Sequence, residues 1–211
     1  MNRSMILRRR LCLATSLIVL APALAACGRS ASAEKFQTSD ITGAKWGHDF
    51  HLFDPTGAPR SLADYRGKVV MLFFGYTNCP DECPAALSKM AQAVDKLGAD
   101  GQRVQGLFVT VDPARDTRAV LARYVPAFHP TFVGLSADEA TIEAMTKDFK
   151  VLAEPRKAEG QEHYGVDHSS GIFVFDTQGR VRLFMGPRIW VEAMVHDLRL
   201  LLSEGAASGQ S

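Results

Sequence analysis

The chain has 211 residues, 46% of them apolar, which suits one domain with a full core, and its 24 basic and 23 acidic residues nearly cancel. That balance excludes the low-hydrophobicity, high-charge class of disordered proteins. No Lys/Arg cluster with interleaved aromatics appears, which argues against a nucleic-acid partner.

The first 26 residues read as a targeting segment. Arg3, Arg8, Arg9 and Arg10 come with no acidic residue, and "LCLATSLIVLAPALAA" follows as an apolar run broken by Pro22. The run is shorter than the ~20 residues that span a bilayer, and its basic–apolar–small order is that of a signal peptide. "LAAC", Leu24 to Cys27, resembles the lipobox of bacterial lipoproteins, which implies that Cys27 is acylated and becomes the mature N-terminus. Loss of the four leader arginines takes the net charge from +1 to −3. Residues 27–44, rich in small polar side chains, read as a lipid-anchored tether, residues 45–203 as the domain, and 204–211 as a flexible tail. Cys12 leaves with the leader and Cys27 carries lipid, so Cys79 and Cys83 remain as thiols, outside the cytoplasm, where disulfides form and persist.

Within the domain, "DFHLFDPTGAPRSL" predicts a short hairpin turning at Pro55-Thr56-Gly57. "KVVMLFFGY" is a near-continuous apolar run, as expected of a strand buried on both faces. "CPAALSKMAQAVDKLG" sets Leu87, Met90, Val94 and Leu97 at helical spacing before Gly98. A second buried strand, "VQGLFVTVD", precedes a helix interrupted near Pro126. Then come a short strand "TFVGLS", a helix with Ile142, Met145 and Phe149 on one face, a hairpin turning at Gln178-Gly179, and a last helix from Trp190. This alternation predicts an α/β fold with a central mixed sheet flanked by helices, preceded by the extra N-terminal hairpin. The dithiol lies where the first buried strand enters the first helix, the position it takes in thioredoxin-like folds and the rim where open α/β sheets present reactive groups.

Cys79 and Cys83 are separated by three residues, and each is followed by proline. At a helix N-terminus, i and i+4 sulfurs share one side, and free N–H groups and the helix dipole stabilise a thiolate. Two such sulfurs suit a soft metal, Cu(I) or Zn, or a disulfide. A third ligand has six candidates: His48, His51, His129, His163, His168 and His196. His168 stands nearest a strand, although a histidine there is more often structural than a ligand. Asp112, ending the second buried strand, either steers the site or a partner or is a turn residue before Pro113. Asp116 and Thr117 are expected to cap the next helix, and Asp167 to bond a ligand or shape its turn. Met90, Met145, Met185 and Met194 read as core.

"GKVVMLFFGYTNCPDECP", "VTVDPARDT" and "YGVDHSSGIFVFD" together resemble three landmarks of the Sco/SenC copper proteins, in order from about residue 45 to 200. The resemblance implies a membrane-anchored thioredoxin-like domain on the periplasmic side of a bacterial cell envelope. It implies that Cys79, Cys83 and His168 hold one copper, as Cu(I), Cu(II) or both. It implies delivery to the dinuclear copper centre of a haem-copper (cytochrome c) oxidase subunit, with a periplasmic copper donor and a thiol reductant as further partners. The alternative is a thiol–disulfide oxidoreductase acting on partner cysteines through Cys79 and Cys83. Asn78 departs from the family, where many members have His, at a position that is not a ligand.

Overall fold

A computed structural model describes residues 35–156, 165–168 and 171–208; for 154–156, 165–168, 207 and 208 it describes the backbone only. The leader, Cys27 and His163 lie outside the described residues. The strands are β1 (Ser39–Asp40), β2 (Leu52–Phe53), β3 (Pro59–Arg60), β4 (Val69–Gly75), β5 (Val104–Thr110), β6 (Val133–Leu135), β7 (Ala153–Arg156), β8 (Gly165–His168), β9 (Ile172–Phe175) and β10 (Val181–Met185). The helices are α1 (Glu82–Lys96), α2 (Arg118–Tyr124), α3 (Glu139–Asp148) and α4 (Val191–Ser208).

Six strands form one mixed sheet in the order β1-β10-β9-β4-β5-β6. β4, β5 and β6 run parallel, while β9 pairs antiparallel with β4 and β10 with β9. Every residue of β4 and β5 is buried, because both are interior strands covered on both faces. Val69, Met71 and Phe73 pack with Leu87, Met90 and Val94 of α1 and Met194, Leu198 and Leu201 of α4. Val70, Leu72 and Phe74 point the other way, onto Ile142, Met145 and Phe149 of α3. Period-two alternation along β4 therefore feeds two cores from one apolar run. Met90, Met145, Met185 and Met194 all lie in those cores. The result is the expected thioredoxin-like architecture, with β2–β3 as the added hairpin. Asp54 braces that hairpin turn, accepting bonds from Thr56, Ala58 and Arg60.

Two boundaries differ from the sequence reading. Residues 37–44 belong to the domain rather than to a tether. β1 pairs with β10, and the buried Asp197 carboxylate of α4 accepts bonds from the Gln37 and Thr38 backbone N–H groups at 2.8 and 2.9 Å and from the Thr38 hydroxyl at 2.7 Å. At the other end, α4 continues through 204–208 instead of yielding a flexible tail. Glu204 pairs with Arg182 at 2.6 Å, and Gly205 lies so close to Thr177 that a Cβ would stand 2.5 Å from its Oγ1. Before β9, β7 and β8 form a two-stranded antiparallel ribbon.

Replacing Asp197 with Ala removes the three bonds that anchor Gln37 and Thr38, together with the His196 contact, from one buried carboxylate. The expected loss is roughly 2–4 kcal/mol in urea unfolding. Hydrogen exchange should show the Gln37 and Thr38 amides losing protection first, and unchanged protection there would rule Asp197 out as the anchor.

Candidate metal centre

β4 delivers the chain to the sheet rim at Gly75, and the next six residues turn it into α1. The Cys79 N–H bonds the Tyr76 carbonyl at 3.2 Å, which closes the turn. The Cys79 sulfur then accepts the Cys83 backbone N–H at 3.4 Å. It thus takes one of the free N–H groups that begin a helix, while the N-cap residue Asp81 makes no side-chain cap bond. Pro80, Asp81 and Glu82 between the cysteines are exposed, which puts two carboxylates in solvent beside the dithiol.

The two thiols are free of a disulfide and differ sharply in setting. Cys83 is 0% exposed, whereas Cys79 keeps part of its surface. The Cys83 sulfur rests on Gly75, where a Cβ would stand 2.9 Å from Sγ, 2.8 Å from Phe108 and 2.9 Å from Phe73. Only a residue without a Cβ leaves room for that sulfur. Burial pushes the Cys83 thiol far above its ordinary value; the Tyr76 backbone N–H pulls the other way, and the Cys79 neighbour adds to the rise. Burial in this pocket thus favours the protonated form of the Cys83 thiol.

A second shell of bonds holds this turn in place. Asp116, 1% exposed, accepts the Thr77 N–H at 3.0 Å, the Thr77 hydroxyl at 2.5 Å and the Thr110 hydroxyl at 2.7 Å. It joins the exit of β4 to the end of β5 and does not cap α2, contrary to expectation. Thr117 alone is the cap, accepting Val120 N–H at 3.3 Å. The available signal was an acid and two threonines near the ends of buried strands: Thr77 after β4, Thr110 closing β5, and Asp116 in the stretch that follows. Asp112 is also buried. Its carboxylate is held by Arg115, its carbonyl accepts Arg115 and Asp116 N–H groups, and the Arg115 guanidinium lies 5.8 Å from the Tyr76 ring centre. Those bonds are those of a turn residue.

Asp167 and His168 end β8, opposite Glu154 and Ala153 in register; their side chains lie outside the described residues. Their backbone position is still informative. β9 begins at Ile172 opposite Phe73, near the C-terminal end of β4. Ala153, facing His168 across the ribbon, lines one groove with Asp112 and Pro113 at the end of β5. The other described histidines are elsewhere: His48 and His51 are exposed, His129 stacks on Phe132, and His196 bonds Asp197. Among the described residues no three His, Cys, Asp or Glu side chains converge.

A mixed sheet with an open cysteine pair where its central strand enters a helix defines a thioredoxin-like thiol protein. The SCO1/SenC family pattern matches residues 38–203, and the chain belongs to that family. It is 39% identical over 153 residues to the mitochondrial SCO2 homologue of Mus musculus, a match covering 72% of this chain but only 60% of the mouse protein's length. The apo Sco1 structure from Thermus thermophilus superposes with a TM-score of 0.71 at 37% identity, covering 81% of this chain and 99% of that one. Bradyrhizobium japonicum ScoI, solved with copper bound, superposes with a TM-score of 0.65 at 32% identity, covering 72% and 96%.

Asp116→Ala should cost roughly 2–4 kcal/mol, since it strips a buried carboxylate from two hydroxyls and a backbone N–H. Urea unfolding measures the loss, and faster hydrogen exchange at the Thr77 amide locates it. An unchanged midpoint would show that the turn is held by other contacts.

Proposed function

We propose that this chain is a copper metallochaperone. Cys79, Cys83 and His168 bind one copper ion, and the protein passes it to the dinuclear copper centre of a haem-copper oxidase. The observation that carries this reading is the pair of open thiols, one buried and one half-buried, on the N-terminus of α1 in a chain 32% identical to a copper-bound structure. Two thiolates satisfy Cu(I), and an imidazole adds the nitrogen that helps hold Cu(II). Transfer proceeds by ligand exchange. The half-buried Cys79 is the donor that an acceptor thiolate displaces first, and the buried Cys83 lets go last.

Delivery of this kind needs the domain at a membrane surface outside the cytoplasm. The leader and the "LAAC" motif support a lipid anchor at Cys27, and no helix among the described residues is long and apolar enough to cross a membrane. A periplasmic copper source and a reductant that keeps the dithiol open complete the set of partners. Asp167, next to His168 in sequence, is the candidate for a hydrogen bond to a ligand or partner.

One observation favours a second reading, thiol–disulfide exchange. Cys79 is accessible and accepts a backbone N–H, as an attacking sulfur does. Its thiolate would open a partner disulfide to a mixed disulfide and release one partner thiol. Cys83 would then displace the second partner thiol, leaving Cys79 and Cys83 oxidised.

Copper titration of reduced residues 34–211 separates the two. One tightly bound copper is expected, weakened at least about tenfold by each of Cys79→Ala, Cys83→Ala and His168→Ala. Exchange against a test disulfide that is fast and indifferent to His168→Ala, without tight copper, would transfer the site to the oxidoreductase reading.

A further inference from the structure

A groove of about 1000 Å³ opens beside the dithiol turn and is used by neither reading. Asp81 and Glu82, which lie between the cysteines in sequence, line one end of it, so whatever fills the groove also touches the turn. One wall is α1, which presents Glu82, Ala85, Ala86 and Lys89 at helical spacing. The two alanines leave the middle of that wall shallow and uncharged. The other wall is the chain from Gly186 to Ile189, between β10 and α4, with residues 37–39 alongside. Both walls are tied down without a ligand. The Lys89 ammonium donates to the Pro187 carbonyl at 2.9 Å, which joins α1 to the loop, and Asp197 holds the Gln37 and Thr38 amides. A groove with fixed walls spares a partner the entropy of ordering them.

The charge of the groove is divided. The carboxylates of Asp81 and Glu82 stand at the dithiol end, whereas Lys89 and the exposed Arg188 stand at the other, two helical turns or about 10 Å along α1. Trp190, directly after the groove residue Ile189, is 78% exposed. Trp and Arg are the side chains that most often anchor protein–protein interfaces. An anionic bilayer matches this surface poorly, because a flat face does not fill a groove and the two carboxylates repel it. We propose that the groove seats an extended segment of the exchanging partner protein, the segment that carries its reacting cysteine. Spacing and sign set its chemistry: a basic side chain next to that cysteine, opposite Asp81 and Glu82, then an acidic one about three residues on, opposite Arg188. Small apolar side chains between them lie on Ala85 and Ala86, and Trp190 covers the far edge. The inference rests on the dithiol being the exchange site of the proposed function, whether copper or a disulfide is exchanged there.

Two peptides of one composition test it, each with a single cysteine activated as its disulfide with nitrothiobenzoate. One has Lys beside the cysteine and Glu three residues on; the other has the two charges exchanged. The Cys79 thiolate attacks the peptide sulfur, forms a mixed disulfide and expels the aromatic thiolate. In the reduced, metal-free full chain, loss of free Cys79 is read by mass mapping after an acid quench. The peptide with Lys beside its cysteine should react about fivefold faster at low ionic strength, and the difference should fade at high salt. Ala85→Trp fills the groove, Arg188→Glu reverses its far charge, and Trp190→Ala removes its edge. All three positions are exposed, and each variant should bring the ratio of the two rates toward one. A ratio that survives Ala85→Trp and Arg188→Glu overturns the proposal and leaves only the local field of Asp81 and Glu82. A ratio near one in the native chain also overturns it, and Trp190-dependent binding to phosphatidylglycerol vesicles would then assign the surface to the membrane. Copper titration is independent of these rates: a chain that binds copper and shows a ratio near one keeps its metal site and loses the docking groove.

Discussion

The Asp116 carboxylate is the contact on which the rim depends. β4 and β5 pair over seven residues, from Val69 with Val104 to Gly75 with Thr110, and both stop at the same level. Beyond that level the backbone ladder no longer holds the chain. Asp116 takes over by accepting from Thr77 after β4 and from Thr110 at the end of β5. The turn that carries Cys79 is thereby fixed to the most deeply buried pair of strands. A dithiol on an unfixed loop would lose the spacing of its sulfurs with every fluctuation, and with it any selectivity for a metal.

The contrast between the two sulfurs follows from that placement. Cys83 points down onto Gly75 and the aromatic core, and Cys79 points along the rim and keeps an open side. On the proposed reading, a cation bound between them would meet one fully buried sulfur and one partly accessible sulfur. Such a site combines retention with access in two adjacent residues.

The interior of this fold was legible in the sequence, and its margins were not. β4 and β5 announce themselves as unbroken apolar runs because both faces are covered, and α1 shows Leu87, Met90 and Val94 at helical spacing because one face is. The cysteine pair is visible for the same reason, being local. Residues 37–44 looked like a linker because their small polar side chains do little of the anchoring; their backbone bonds go to Asp197, about 160 positions away. Asp116 was misread as a cap because a carboxylate beside a helix start has a local explanation, whereas its real partners, Thr77 and Thr110, are neighbours only once β4 and β5 pair. His168 became a ligand candidate through family resemblance, since nothing in the local pattern separates it from His163.

The short strand β1 has a consequence for how the molecule behaves in company. Without it, β10 would be the sheet's edge, five residues of alternating buried and half-buried side chains with an unpaired row of backbone groups. With it, the main sheet ends in two residues on one side and in the three residues of β6 on the other. Edges that short offer little template for a strand from another chain. Asp197 therefore guards against edge-to-edge aggregation as well as holding a terminus, and its loss would turn a modest stability defect into a solubility defect.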